Sequence, residues 1–119
     1  MSLTLFLIAQ LASADTSFTQ AKARADEYES LLSPKDSAAL VEAQSTALTA
    51  AMAACGPAKS TFAPFTIVVR VGTNGVAERI WRNDDSPFAT CLDRHLTSTQ
   101  LPVAAGKPFH ASYELSFAP

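Results

Sequence analysis

Gly56-Pro57 divides this chain into two parts that cannot share one kind of secondary structure. Before it, apolar residues recur every three or four positions, the spacing of helices with one buried stripe. After it, β-branched and aromatic residues gather in short runs set off by Gly, Pro and Asn, as strands and turns require. A chain of 119 residues split in this way has room for a pair of helices and one small sheet, so an α+β architecture follows. With 48% hydrophobic and 17% charged residues, the chain is not a disordered polymer.

In the first part, Thr16 or Ser17 can cap a helix reaching about Leu32, with Phe18, Ala21, Ala25, Tyr28 and Leu32 on one stripe. Ser33-Pro34-Lys35-Asp36 starts a second helix. Ser33 accepts a backbone N–H, Pro34 fits the first helical position, and Asp36 complements the helix dipole. That helix runs to Cys55, about 33 Å at 1.5 Å per residue. Leu40, Val41, Ala47, Leu48, Ala51, Met52 and Cys55 lie along one side. Gly56 is expected to take the left-handed C-terminal conformation, and Pro57 cannot continue the helix. Two readings follow: a hairpin packed on the rest of the chain, or a long helix that also pairs with a second copy in a homodimer.

In the second part, Phe65 to Val71 reads as a strand, Gly72-Thr73-Asn74-Gly75 as a hairpin turn, and Val76 to Arg82 as the return strand. Ser86-Pro87 opens a third helix, on which Phe88, Cys91, Leu92, His95 and Leu96 share a face. Phe109, Ala111, Tyr113, Leu115 and Phe117 then alternate with His110, Ser112, Glu114 and Ser116, which predicts a last strand with one face in the core and one wet. The expected fold is two helices followed by a β-β-α-β unit, its three strands antiparallel and its helices on one face. The boundaries are 1–14 for a leader, 15–57 for the helical hairpin and 58–119 for the ββαβ unit.

Leu3 to Leu11 is an apolar run of the length of a secretory signal core, too short to cross a bilayer, and Ala12-Ser13-Ala14 is an A-x-A cleavage pattern. The segment before it has no Lys or Arg. Cleavage after Ala14 would place the protein in the periplasm or outside the cell; the competing reading is a helix end in a cytosolic fold. Cys55 and Cys91 are the only cysteines. In an exported protein they predict one disulfide, and otherwise two separate buried thiols. Without C-x-x-C, and with histidines only at 95 and 110, the spacings match neither a thioredoxin site nor a zinc set. No metal or cofactor motif is present.

A net charge of −2 without a long basic run argues against nucleic acid and against docking on an anionic membrane. His95 reads as a helix-end residue satisfied by a carbonyl. His110, Ser112 and Glu114 stand on one strand face about 7 Å apart, too far for a hydrogen-bonded relay. Asp84-Asp85-Ser86 lacks the ligand count of a calcium loop. The residues therefore favour a binding module over an enzyme. The last strand offers an edge with His110, Ser112, Glu114 and Ser116 beside it. Trp81, flanked by Arg79 and Arg82, is either an interface anchor or a residue packed under the helices, and Asn74 marks the hairpin tip.

Residues 55–117 resemble the C-terminal domain of TonB-like energy transducers and the related modules of gliding-motility proteins. The resemblance lies in the strand ending in a glycine turn (Val68 to Gly75), the return strand Val76 to Trp81, and Pro87-Phe88 with Cys91-Leu92 at a helix start. Leu101-Pro102 and a closing strand from Tyr113 to Phe117 complete it. It implies a periplasmic domain that binds partners by strand addition along the last strand. The transmembrane helix and proline-rich spacer of the energy transducers are replaced here by a short leader and a helical hairpin, so a free-standing module is implied rather than energy transduction. The expected partner is another envelope protein or peptide. The competing functions are an inhibitor or immunity-type protein, presenting the Asn74-Gly75 tip or the Asn83 to Ser86 loop, and an enzyme with a pocket at His95 or His110.

Overall fold

A computed structural model describes residues 17–59 and 62–117. The expected leader with its cleavage after Ala14, and Thr16 as an alternative cap, lie outside them. The elements run α1 (Phe18–Leu31), α2 (Pro34–Cys55), β1 (Phe65–Val71), β2 (Ala77–Arg82), α3 (Pro87–Leu96) and β3 (Phe109–Leu115). The strands form one antiparallel sheet in the order β2-β1-β3. The α+β class and the order of elements are those expected.

Each helix starts where a serine supplies the missing acceptor. Ser17 accepts from the Gln20 N–H while the Gln20 side chain accepts from the Ser17 N–H, a reciprocal capping box. Ser33 and Ser86 accept from Asp36 and Ala89, each with proline in the first helical position. Gly56 ends α2 with φ +91° and ψ 171°. Its φ is positive as expected, but it extends the chain instead of coiling it into the left-handed helical conformation.

Ile67, Val69 and Val71 project from one face of β1 and join Phe109, Ala111, Tyr113 and Leu115 of β3 in a core with Leu40 and Ala51 of α2 and Phe88, Leu92 and Leu96 of α3. Val68 points the other way. It packs with Ala21 and Ala25 of α1, with Phe18 and Trp81 beside them. So α2 and α3 share one face, as expected for the helices, while α1 lies against the opposite face. Toward its end α1 reaches round β3, where Tyr28 stacks on Phe109 with ring centroids 4.5 Å apart.

One apolar residue departs from its expected stripe: Val41 is 60% exposed, because the buried side of α2 is centred on Leu40 and Ala51. Leu31, off the expected α1 stripe, is 78% exposed. His95 is also exposed, leaving Phe88, Ala89, Leu92 and Leu96 as the buried face of α3. The expected disulfide is present: Cys55 and Cys91 join the end of α2 to α3, with Cα atoms 5.8 Å apart. Among the described residues no helix is long and apolar enough to cross a membrane.

Candidate functional site

The hairpin between β1 and β2 closes through a turn with Thr73 and Asn74 at its centre. The Gly75 N–H donates to the Gly72 carbonyl, and the Gly72 N–H to the Val76 carbonyl. Gly75 takes φ +84°, a conformation that favours glycine. Asn74 serves the turn itself. Its side-chain oxygen accepts from the Val76 N–H at 3.2 Å, and its carbonyl accepts from Gln100 at 3.0 Å. The pairing of β1 with β2 shifts after Arg70, which faces Arg79, so that Val71 faces Ala77 and Glu78 is the extra residue of a bulge. The return strand therefore begins at Ala77, one residue later than expected. Val76 instead forms a single bridge to Gln100.

The expectation of a wet face on β3 fails at two of its four residues. His110 is 9% exposed and Ser112 8%, because α1 lies over that face. The His110 ring lies 5.6 Å from Trp81, centroid to centroid. Its Nε2 is buried with no hydrogen-bond partner among the described residues. Burial first, then the charges of Arg24 and Arg70, hold the imidazole below its ordinary pKa, so it favours the neutral form. Glu114 is exposed and lies 3.7 Å from the ammonium group of Lys22, and Ser116 is exposed just past the strand.

The main chain of Ser112 is occupied from outside the sheet. Its N–H donates to the Glu29 carboxylate at 2.9 Å, and its carbonyl accepts from the Gln44 amide at 2.9 Å. Glu29 comes from α1 and Gln44 from α2, so the two helices straddle the β3 edge and close it at its centre. Burial raises the Glu29 pKa, and the Ser112 N–H works against that rise. Neither residue stood out in the sequence. The helical periodicity places them beside the stripes but does not say which edge the hairpin meets.

Antiparallel alternation then fixes the other edge. With Ser112 turned outward, its partner Val68 turns toward β2. Trp81 and Arg79 of β2 thus face β1, and Ile80 and Arg82 point outward. The Asn83 N–H donating to the Thr66 carbonyl at 3.3 Å keeps the same alternation. Among the described residues no hydrogen bond from another element reaches the main chain of Ile80 or Arg82. Beside this edge Trp81 is half-buried, with the Arg79 guanidinium 4.8 Å above its ring. Trp81 is thus both packed against α1 and partly open to solvent. Arg82 is tied to Asp93 of α3 and lies 3.5 Å from Asp85.

The Ser112 hydroxyl donates to the Glu29 carboxylate only at the long distance of 3.5 Å, and among the described residues no group is hydrogen-bonded to the buried Nε2 of His110. Asp84 accepts from the Ser86 N–H at 3.1 Å, an Asx turn leading into the cap of α3. A groove of about 580 Å³ runs between Ala39, Ala43 and Ala47 of α2 and the Thr99 to Pro102 loop. No family model, curated protein or solved structure matches the chain.

Proposed function

We propose that the protein is an exported protein-binding module that takes a strand from a protein or peptide partner along the edge of β2. One observation carries the reading: the two edges of the sheet are unequal. Glu29 and Gln44 occupy the main chain of Ser112 on β3, whereas Ile80 and Arg82 on β2 point away from the sheet. An added strand gains main-chain hydrogen bonds at such an edge, and neighbouring side chains set its specificity. Trp81 offers an aromatic anchor, and Arg79 a charge that favours a carboxylate on the partner. The bulge at Glu78 limits the edge to a short register, Arg79 to Arg82.

Three further points support the compartment and class. A disulfide fits an oxidising environment. Leu3 to Leu11 with Ala12-Ser13-Ala14 fits an export signal. The TonB-like order of elements fits a periplasmic binding domain, with the docking edge moved from the last strand to β2.

The test is site-specific photo-crosslinking in an expressing bacterium. A photoreactive residue at Arg79 should capture an envelope protein, and the same residue at Glu42, on the exposed side of α2, should not. Ile80→Pro removes an outward N–H without removing a bond to β1, so it should abolish the Arg79 crosslink while the circular dichroism stays native. Crosslinking from Glu42 with Arg79 silent would contradict the reading. The mass of the recovered protein tests export separately: a start at Asp15 supports it, and an intact leader opposes it.

A further inference from the structure

The disulfide has a third neighbour. Cys91 and His95 stand four residues apart on α3, about one helical turn, so their side chains leave the same side of the helix. Cys55, the last residue of α2, meets them there. The two sulfurs and one imidazole nitrogen of His95 lie within 4.8 Å of one another. Both cysteines are half-buried and His95 is exposed. The spacing along the chain hid this set, because the cysteines stand 36 positions apart.

We propose that the reduced protein holds a soft divalent metal ion between the thiolates of Cys55 and Cys91 and the imidazole of His95, and that the disulfide is the closed form of this site. Opening it takes a thiol reductant. Two reductant thiols become one disulfide as the Cys55–Cys91 bond accepts two electrons and two protons. The metal ion then displaces both thiol protons and forms two metal–sulfur bonds and one metal–nitrogen bond. The two thiolates balance its charge.

The geometry suits a tetrahedral ion. Zinc–sulfur bonds of about 2.3 Å and a zinc–nitrogen bond of about 2.0 Å place the donor atoms about 3.5–3.8 Å apart. Once the sulfur–sulfur bond is broken, side-chain rotation covers the difference. The chain can yield at Cys55, which is followed by Gly56, and among the described residues no atom lies within 4 Å of where a Gly56 side chain would begin. Two sulfurs and one nitrogen select zinc-like ions over calcium or magnesium, and the exposed side of His95 leaves the fourth position to water. A purely structural bridge accounts for the two cysteines and assigns no part to His95.

The experiment uses the full chain, reduced under nitrogen and titrated with cobalt(II). Thiolate-to-cobalt charge-transfer absorption and tetrahedral ligand-field bands should grow to one equivalent in the reduced protein and be absent from the oxidised one. Zinc(II) should then displace the cobalt. His95→Ala should weaken binding by about tenfold or more, since even groups that only support a metal ligand are worth about 10–100-fold. The Cys55→Ser/Cys91→Ser variant should show no charge-transfer band. A reduced wild type that gives no band, or that binds cobalt no more tightly than His95→Ala, overturns the proposal. Circular dichroism runs alongside. If reduction unfolds the chain, refolding on metal addition that requires His95 supports the site, and failure to refold overturns it.

Discussion

At Ser112, two side chains take the place of a neighbouring strand. Glu29→Ala should leave the Ser112 N–H without its acceptor and lower stability by about 1–3 kcal/mol in urea unfolding. Glu29→Gln keeps an acceptor oxygen and removes the half-buried charge, so it should cost much less. Because the folded state raises the Glu29 pKa, its contribution is present below the ordinary value of 4.5 and lost as pH rises through the raised one. His110 works in the opposite sense. Its pKa is lowered from 6.5, so its contribution is present above that value and lost as pH falls through the lowered one. In a Glu29→Gln background the stability of the protein should therefore drop on acidification below the ordinary histidine value, and His110→Phe should flatten that drop. The imidazole proton shifts of His110, followed by NMR, should titrate below 6.5; a midpoint above it contradicts the packing of α1 on this face.

Among the elements, the hairpin and the caps were legible in sequence while the layering was not. Ser33-Pro34 and Ser86-Pro87 announce helix starts through chemistry confined to four residues, and Gly56-Pro57 announces a stop the same way. The alternation from Phe109 to Phe117 identified the strand and its core face. Its other face was misread because polar residues are compatible with water or with a helix whose own contacts are small and polar. Here Ala21 and Ala25 let α1 approach Val68 closely, and Lys22 and Glu29 meet Glu114 and Ser112. Nothing in a period of two or of 3.6 encodes that meeting, so the closed edge escaped the sequence. The hairpin offers a sharper test. A Cβ on Gly75 would come within 2.7 Å of the Leu101 carbonyl oxygen, whereas one on Gly106, also at positive φ, would meet nothing within 4 Å among the described residues. The left-handed conformation alone costs about 1–2 kcal/mol for a residue with a Cβ. Gly75→Ala should thus lower stability by clearly more than Gly106→Ala in thermal unfolding, and equal losses would contradict the close approach of the turn to Leu101.

For the whole molecule, one covalent link and one unequal pair of edges set the stability and the proposed binding. The Cys55–Cys91 bridge fastens the helical part to the ββαβ part across 36 positions. By the chain-entropy relation it contributes about 3–4 kcal/mol, a large share of the stability of a domain this small. Cys55→Ser/Cys91→Ser should show a loss of that size in chemical unfolding. On the proposed reading, the edges decide where a partner binds. A sheet of three strands exposes two lines of main-chain groups, and this chain closes one with its own helices while the other runs from Arg79 to Arg82. Amide hydrogen exchange followed residue by residue measures this asymmetry in the free protein. The Ser112 amide, held by Glu29, should exchange slowly, and the amides along β2 should alternate, with Ile80 and Arg82 fast and Arg79 and Trp81 slow. A fast Ser112 together with protected Ile80 and Arg82 amides would contradict this, returning the open edge to the last strand.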